Sequence, residues 1–226
     1  MKLILTCEHA GNKIPEKYLP FFEAQKTVLE THRGFDPGAL DLFRKLSSLS
    51  DLKAFHLESR LLIEVNRSLH HPALFSEFTR HLSKSEKEIL IKKYYLPYRD
   101  LVEAGINQYI RKGEEVLHFS VHSFTPQLNG NIRNTDIGLL YDPARPAEKE
   151  FCHRFKRSMK FQMPELKIRF NYPYLGIADG FTTYLRKKFP QGYSGIEIEV
   201  NQKYVAENKM KSEIKNAILQ TLKRSK

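Results

Sequence analysis

The chain has 226 residues, of which 41% are hydrophobic and 28% charged, with a formal charge of +11 at pH 7. A globular chain of this length buries roughly three-quarters of the surface it exposes when unfolded, so it needs no covalent staple, and the composition lies far from the disordered class. Two isolated cysteines, no apolar run near the ~18 residues of a membrane span, and no long apolar leader at MKLILTCEHAGN together predict a cytoplasmic protein.

In chain order, Lys2–Cys7 is a short apolar run of the buried-strand kind. Residues 37–49 space their apolar positions for a helix, with Pro37 at the first turn, where a missing N–H costs nothing. Residues 61–65 read as a strand. Residues 83–111 give the longest helical pattern, opened by a capping box from Ser83 to Glu86 and broken or kinked at Pro97. Residues 117–121 and 137–141 read as strands, 147–158 and 209–224 as helices. In residues 195–200, GIEIEV alternates with period two, which sends Glu197 and Glu199 to one face and the isoleucines to the other. The alternation of strands and helices predicts one α/β domain over 1–226, a mixed, mostly parallel sheet flanked by helices. The basic excess sits at residues 154–160, 186–188 and 223–226, each expected to be the solvated face or end of a helix. No groove-reading helix or stacking platform is recognisable, so no nucleic-acid partner is expected.

Polar clusters follow the strand candidates, where the crevice of an open α/β sheet lies. They are Cys7-Glu8-His9-Ala10-Gly11-Asn12, Thr31-His32-Arg33-Gly34-Phe35-Asp36, Glu64-Val65-Asn66-Arg67, Ser120-Val121-His122-Ser123-Phe124 and Glu197-Ile198-Glu199-Val200-Asn201-Gln202. Singly, each has a plain structural explanation. A strand-end His is usually hydrogen-bonded in place, an Asn-Arg pair marks a turn, and alternating glutamates mark a solvated face. Their recurrence at strand ends points instead to a metal site, because imidazole and carboxylate are natural zinc ligands and the activated water needs a carboxylate base.

The strings CEHAGNKIP, THRGFDPGA, SRLLIEVNRS, FSVHSFTP, RNTDIGLLYDP, NYPYLGIADG and GIEIEVNQ, in this order from residue 3 to about residue 202, closely resemble the N-formylglutamate amidohydrolase family. That family is similar to zinc-dependent exopeptidases of the carboxypeptidase and aspartoacylase type. The resemblance implies zinc, or another divalent metal, held by His9 and His122, with Glu199 activating the water. It implies that Asn66 and Arg67 grip the substrate's α-carboxylate, a task suited to the planar guanidinium fork. The exopeptidases' glutamate ligand, three residues after the first histidine, is replaced here by Asn12. The third ligand must then come from Asp36, Glu8 or His32; Asp36 is preferred, because Glu8 adjoins His9 and would point to the opposite side of an extended strand.

A hydrolase of this kind would cleave the amide of a small anionic N-formyl or N-acyl amino acid such as N-formylglutamate. Arg60 or Arg133 is the expected second cation for the substrate. Glu197 either raises its neighbour's pKa or accepts from a nearby arginine. Asp136 and Asp179 read as loop caps. A peptidase, another deacylase, or a family member that only binds ligand or metal remains compatible with the pattern, the last because of Asn12.

Overall fold

In the computed structural model, which describes residues 1–225, the opening apolar run forms strand β1 (Lys2–Cys7). A long 3-10 segment (Glu16–Glu30) leads to helix α1 (Ala39–Leu46) and strand β2 (Leu52–Phe55). Helices α2 (Lys84–Leu90) and α3 (Leu96–Arg111) precede strand β3 (Val116–Phe124). A small hairpin, β4 (Gln127–Leu128) and β5 (Asn131–Ile132), is followed by β6 (Ile137–Leu140), α4 (Pro146–Gln162), β7 (Ile168–Phe170) and α5 (Phe181–Lys188). Strand β8 (Tyr193–Asn201), a second hairpin of β9 (Val205–Ala206) and β10 (Lys209–Met210), and helix α6 (Ser212–Ser225) complete the chain described.

Six strands form one sheet in the order β2-β1-β3-β8-β6-β7. Every neighbouring pair is parallel except β8 with β6, so the sheet is mixed and mostly parallel, as the strand–helix alternation predicts. Alternation then sorts the side chains by face. Leu3, Leu5, Phe119, Val121, Ile196 and Ile198 pack against α1, α4 and α6 in one core. The opposite face meets α3 and α5 through Ile4, Val116, Val102, Ile106, Phe181 and Leu185. Phe119 lies 5.8 Å from Phe155 and 6.2 Å from Phe151, ring to ring. Truncating it to Ala would cost roughly 3–5 kcal/mol.

On this second face, the strand positions towards the carboxyl ends of β1, β3 and β8 stop being apolar. Thr6, Glu8, His118, Ser120, His122 and Glu199 are all buried there. Buried polar groups must be partnered, so this face is a polar network with a sheet behind it.

Several sequence expectations are corrected. Residues 61–65 form no strand. Their backbone runs through turns, with Leu62 N–H donating to Ser59 O at 2.8 Å, Glu64 N–H to Leu74 O at 2.9 Å and Arg67 N–H to Glu64 O at 3.2 Å. A short buried apolar run does not by itself distinguish a ladder from a packed loop. The closing helix starts at Ser212, because Lys209 and Met210 pair with Ala206 and Val205. Arg186 is not solvated: it is 6% exposed, and its Nε donates to Glu148 Oε1 at 2.9 Å. Of the basic tail, Lys226 lies outside the described residues. Pro97 neither ends nor sharply breaks its helix. A wide π-turn, Ile91–Tyr95, joins α2 to α3 ahead of it, with the Leu96 N–H reaching back to Ile91 O.

Candidate metal centre and pocket

Three side chains from distant stretches of chain converge at the carboxyl ends of β1 and β3. His9 follows β1, His122 lies near the end of β3, and Asp36 sits on the loop before α1. That loop is tied to the first strand's exit by a bond from Asp36 N–H to His9 O at 3.0 Å. One ligand atom from each residue lies within 4.8 Å of the others, and all three residues are buried. The imidazole centroids of His9 and His122 are 5.0 Å apart. Asp36 Oδ2 is 2.9 Å from His122 Nδ1 and 3.3 Å from His9 Nδ1.

The far nitrogen of each ring is occupied. His9 Nε2 donates to Glu64 Oε1 at 2.6 Å, and His122 Nε2 lies 3.1 Å from Glu8 Oε2. Each of these carboxylates is itself held. Glu64 accepts from Arg60 Nε at 2.7 Å and from Asn66 N–H at 3.0 Å. Glu8 accepts from Tyr98 Oη at 2.9 Å and Ser120 Oγ at 2.5 Å. The outer partners thus fix both tautomers and leave the two Nδ1 atoms turned towards Asp36.

The charges follow this wiring. Burial would raise the Asp36 carboxyl, but the His9 and His122 imidazoles outweigh it and hold the group well below the usual carboxylate range. Glu8 is also depressed against its burial, by His122, His118 and Ser120, and Glu64 by Arg60 and His9. Burial disfavours charge on His122, yet its bonds to Asp36 and Glu8 raise its proton affinity well above the ordinary value.

Glu199 differs. It stands opposite His122 in the β3–β8 register and is 4% exposed. Its Oε2 has no hydrogen-bond partner among the described residues. Burial, followed by the Asp36 and Glu197 charges against the opposing pull of His122, raises its pKa to about 8. Its other ladder neighbour is Gly138, where an added Cβ would sit 1.9 Å from Tyr172 O and 3.2 Å from Glu199 Cβ. Glycine there lets the next loop pass close over the acid. Glu197, half-buried, accepts from the Thr182 hydroxyl.

These groups line a cavity of about 260 Å³ that also reaches Asn66, Arg67 and Arg60. Asn66 Oδ1 accepts the Phe181 N–H at 2.8 Å and so anchors the start of α5. Arg67 donates to the backbone oxygen of Asp179. The Asp179 side chain accepts from Ser68 N–H and Oγ, which is the loop-capping role its motif predicts. Arg60 borders the cavity but spends its guanidinium on Glu64 and Asp36. Arg133 is absent from the walls; it stacks over Tyr174 at 5.4 Å and Phe124 at 6.0 Å. His32 lines the cavity apart from the three-residue cluster. Asn12 points away, donating to Leu29 O at 3.2 Å and Glu30 Oε1 at 2.9 Å.

Sequence reasoning gave no role to Glu64, or to the wall formed by Tyr174, Leu175 and Ala178. The only signal for Glu64 was its place in the Glu-Val-Asn-Arg string.

No curated protein matches the sequence. Among solved structures, the gene product Atu2144 from Agrobacterium tumefaciens aligns with a TM-score of 0.81 at 25% identity, covering 99% of this chain and 90% of that one. N-formylglutamate amidohydrolase from Ralstonia eutropha JMP134 shares the fold, with a TM-score of 0.71 at 18% identity over 100% of this chain and 93% of the other. A metallo-carboxypeptidase from Burkholderia cenocepacia is matched weakly, with a TM-score of 0.41 at 12% identity over 99% of this chain and 56% of that chain. The family model for N-formylglutamate amidohydrolase matches residues 1–206. The chain therefore belongs to the N-formylglutamate amidohydrolase family, and it is an amidohydrolase.

Proposed function

We propose that the protein is a metal-dependent hydrolase that removes the formyl or acyl group from a small N-acyl amino acid, using His9, Asp36 and His122 as metal ligands and Glu199 as general base. The observation that carries this reading is the meeting of those three ligand atoms within 4.8 Å, beside a buried carboxyl with an unpartnered oxygen. Two imidazoles and one carboxylate suit zinc first, with other divalent ions behind it. The buried Nδ1 atoms and Asp36 Oδ2 would hold the ion, and Glu8 and Glu64 would keep the rings aimed. A divalent cation held there supplies positive charge that polarises the scissile carbonyl and lowers the pKa of a coordinated water towards ~7.

The residues of this chain perform the remaining work. Glu199 takes the proton from the attacking water as the new C–O bond forms. It then returns that proton to the nitrogen as the C–N bond breaks, giving a carboxylate and a free amine. A proton affinity near 8 suits this exchange at neutral pH, and a cation close by would pull it lower. Arg67 and Asn66 hold the α-carboxylate at the other end of the cavity. Glu197, fixed by Thr182, keeps negative charge beside Glu199 and so supports its affinity for the proton. The buried, unpaired thiols of Cys7 and Cys152 fit a reducing cytoplasm. No described helix is long and apolar enough to cross a membrane.

The test is metal analysis of protein purified without added metal, followed by assays of formate release from N-formyl amino acids with and without chelator. About one equivalent of divalent metal, with activity lost on chelation and restored by zinc, supports the reading. Undiminished hydrolysis by metal-free protein refutes it.

A further inference from the structure

We infer that the site takes N-acyl derivatives of amino acids with one carboxylate and an uncharged, apolar side chain, because the cavity offers a single unpaired guanidinium and an apolar wall where a second anionic group would have to lie. This rests on the reading of the site as an acyl-amino-acid hydrolase and narrows it. The family's name suggests glutamate, whose N-formyl derivative is a dianion. A second carboxylate enclosed without a partner is costly, so a pocket for dianions has to present two cations.

The cations present do not meet that need. Arg67 lines the cavity and makes no ion pair among the described residues; its one recorded bond goes to a backbone oxygen. Arg60 is already matched. Its Nε and Nη2 both reach Glu64 Oε2, at 2.7 and 2.5 Å, and its Nη1 lies 3.7 Å from Asp36 Oδ1. Turning Arg60 to a substrate would strip the carboxylate that positions His9. Arg133 lies outside the walls, its charge spread over two aromatic rings. Burial and the charges of Arg133, Arg33 and Arg60 lower the pKa of His32, which leaves it neutral at neutral pH.

Like charge also opposes a dianion. Glu197 and Asp179 both border the cavity, so a side-chain carboxylate would meet acids there. The rest of the wall is apolar. Leu175 lines the cavity while remaining 59% exposed, and its loop also exposes Tyr174 at 46% and Ile177 at 57%. With Ala178 and Phe124, these groups form a surface that an aliphatic or aromatic side chain would cover. Discrimination then comes from an unpaired charge on the wrong substrate as well as apolar contact with the right one.

Two measurements on the intact protein test this. Zinc-loaded enzyme is assayed with the N-formyl derivatives of leucine, methionine and phenylalanine against those of glutamate and aspartate. At least a tenfold higher kcat/KM for the first three is expected; equal or higher values for the acidic pair, or for N-formyl-lysine, overturn the inference. Separately, calorimetry measures binding of N-formyl-leucine and N-formyl-glutamate to zinc-loaded Glu199→Gln, where turnover is removed. Tighter binding of the leucine compound supports the inference even if the wild type hydrolyses neither, an outcome that would sink the hydrolytic reading alone. Tighter binding of the glutamate compound overturns the inference whatever the turnover.

Discussion

Two acidic regions share the cavity and are built in opposite ways. At the ends of β1 and β3, the carboxylates of Asp36, Glu8 and Glu64 are wrapped in donors, and their proton affinity is driven down despite burial. One strand over, Glu199 is equally buried but keeps an oxygen without a partner, and its affinity rises to about 8. The sheet backs both regions, so depth alone does not decide the state of an acid. Hydrogen-bond supply does. One region is built to stay anionic and accept a cation, the other to exchange a proton near neutral pH, and environments that push carboxyl pKa values apart mark such a division of labour.

The most severe way to break the first region is His122→Ala. Loss of metal, read by elemental analysis, should accompany a fall in kcat/KM of about 10⁴-fold, corresponding to the several kcal/mol that a catalytic cation supplies. Retained metal with near-normal activity would show that the three-residue cluster is not the metal site. Breaking the second region with Glu199→Gln should lower kcat by about 10²–10⁴-fold while metal content stays at wild-type level. A loss of metal in that variant would merge the two regions into one.

Milder changes sharpen the contrast. Glu64→Gln and Glu8→Gln leave all three ligands present but remove the charge behind each ring, and metal affinity by chelator competition should weaken about 10–100-fold. The pH dependence of stability separates the regions further. A carboxyl whose folded pKa is raised holds its proton more tightly in the fold than in the unfolded chain. The contribution of Glu199 to metal-free protein is therefore fully present below its ordinary value of 4.5 and is lost as pH rises to about 8, at about 1.4 kcal/mol per unit. His122, also raised, adds to this loss above neutrality. Asp36, Glu8 and Glu64 have the opposite sign, and their contribution disappears only as pH falls below the ordinary carboxyl range. Metal-free Glu199→Gln should accordingly melt higher than wild type at pH 8 and nearly level with it at pH 5, by calorimetry. The smallest effect is expected at Arg133→Ala: with its guanidinium outside the walls, kcat/KM should change by less than about threefold.

Much of the frame could be read from local pattern. GIEIEV places Glu197 and Glu199 on one face because period two leaves no choice, and the apolar partners of that alternation form the opposite core. Residues 61–65 misled because an apolar run is compatible with any buried backbone, and only Glu64 N–H bonding to Leu74 O shows that it is a loop. Strands β2 and β7, of four and three residues, are too short to carry a period. At the site, the histidines stand out as strand-end residues, but the partner of each is a tertiary fact. Glu64 reaches His9 across 55 positions, and Asp36 reaches His122 across 86. Nothing in a linear string reports that Arg60 is spent on two acids and cannot serve a ligand.

The π-turn at Ile91–Tyr95 has a consequence for how the chain tolerates change. Just past it, Tyr98 props Glu8, while Tyr95 and Arg99 grip the Arg67 carbonyl, at 2.7 and 3.3 Å. Deleting one residue from the wide turn would restore an ordinary helix and swivel everything before or after it by about 100°. The capping end at Ser83 and the braces at Tyr95, Tyr98 and Arg99 could then no longer all keep their places. A single lost codon in that exterior helix would unseat a pocket that none of its own residues line.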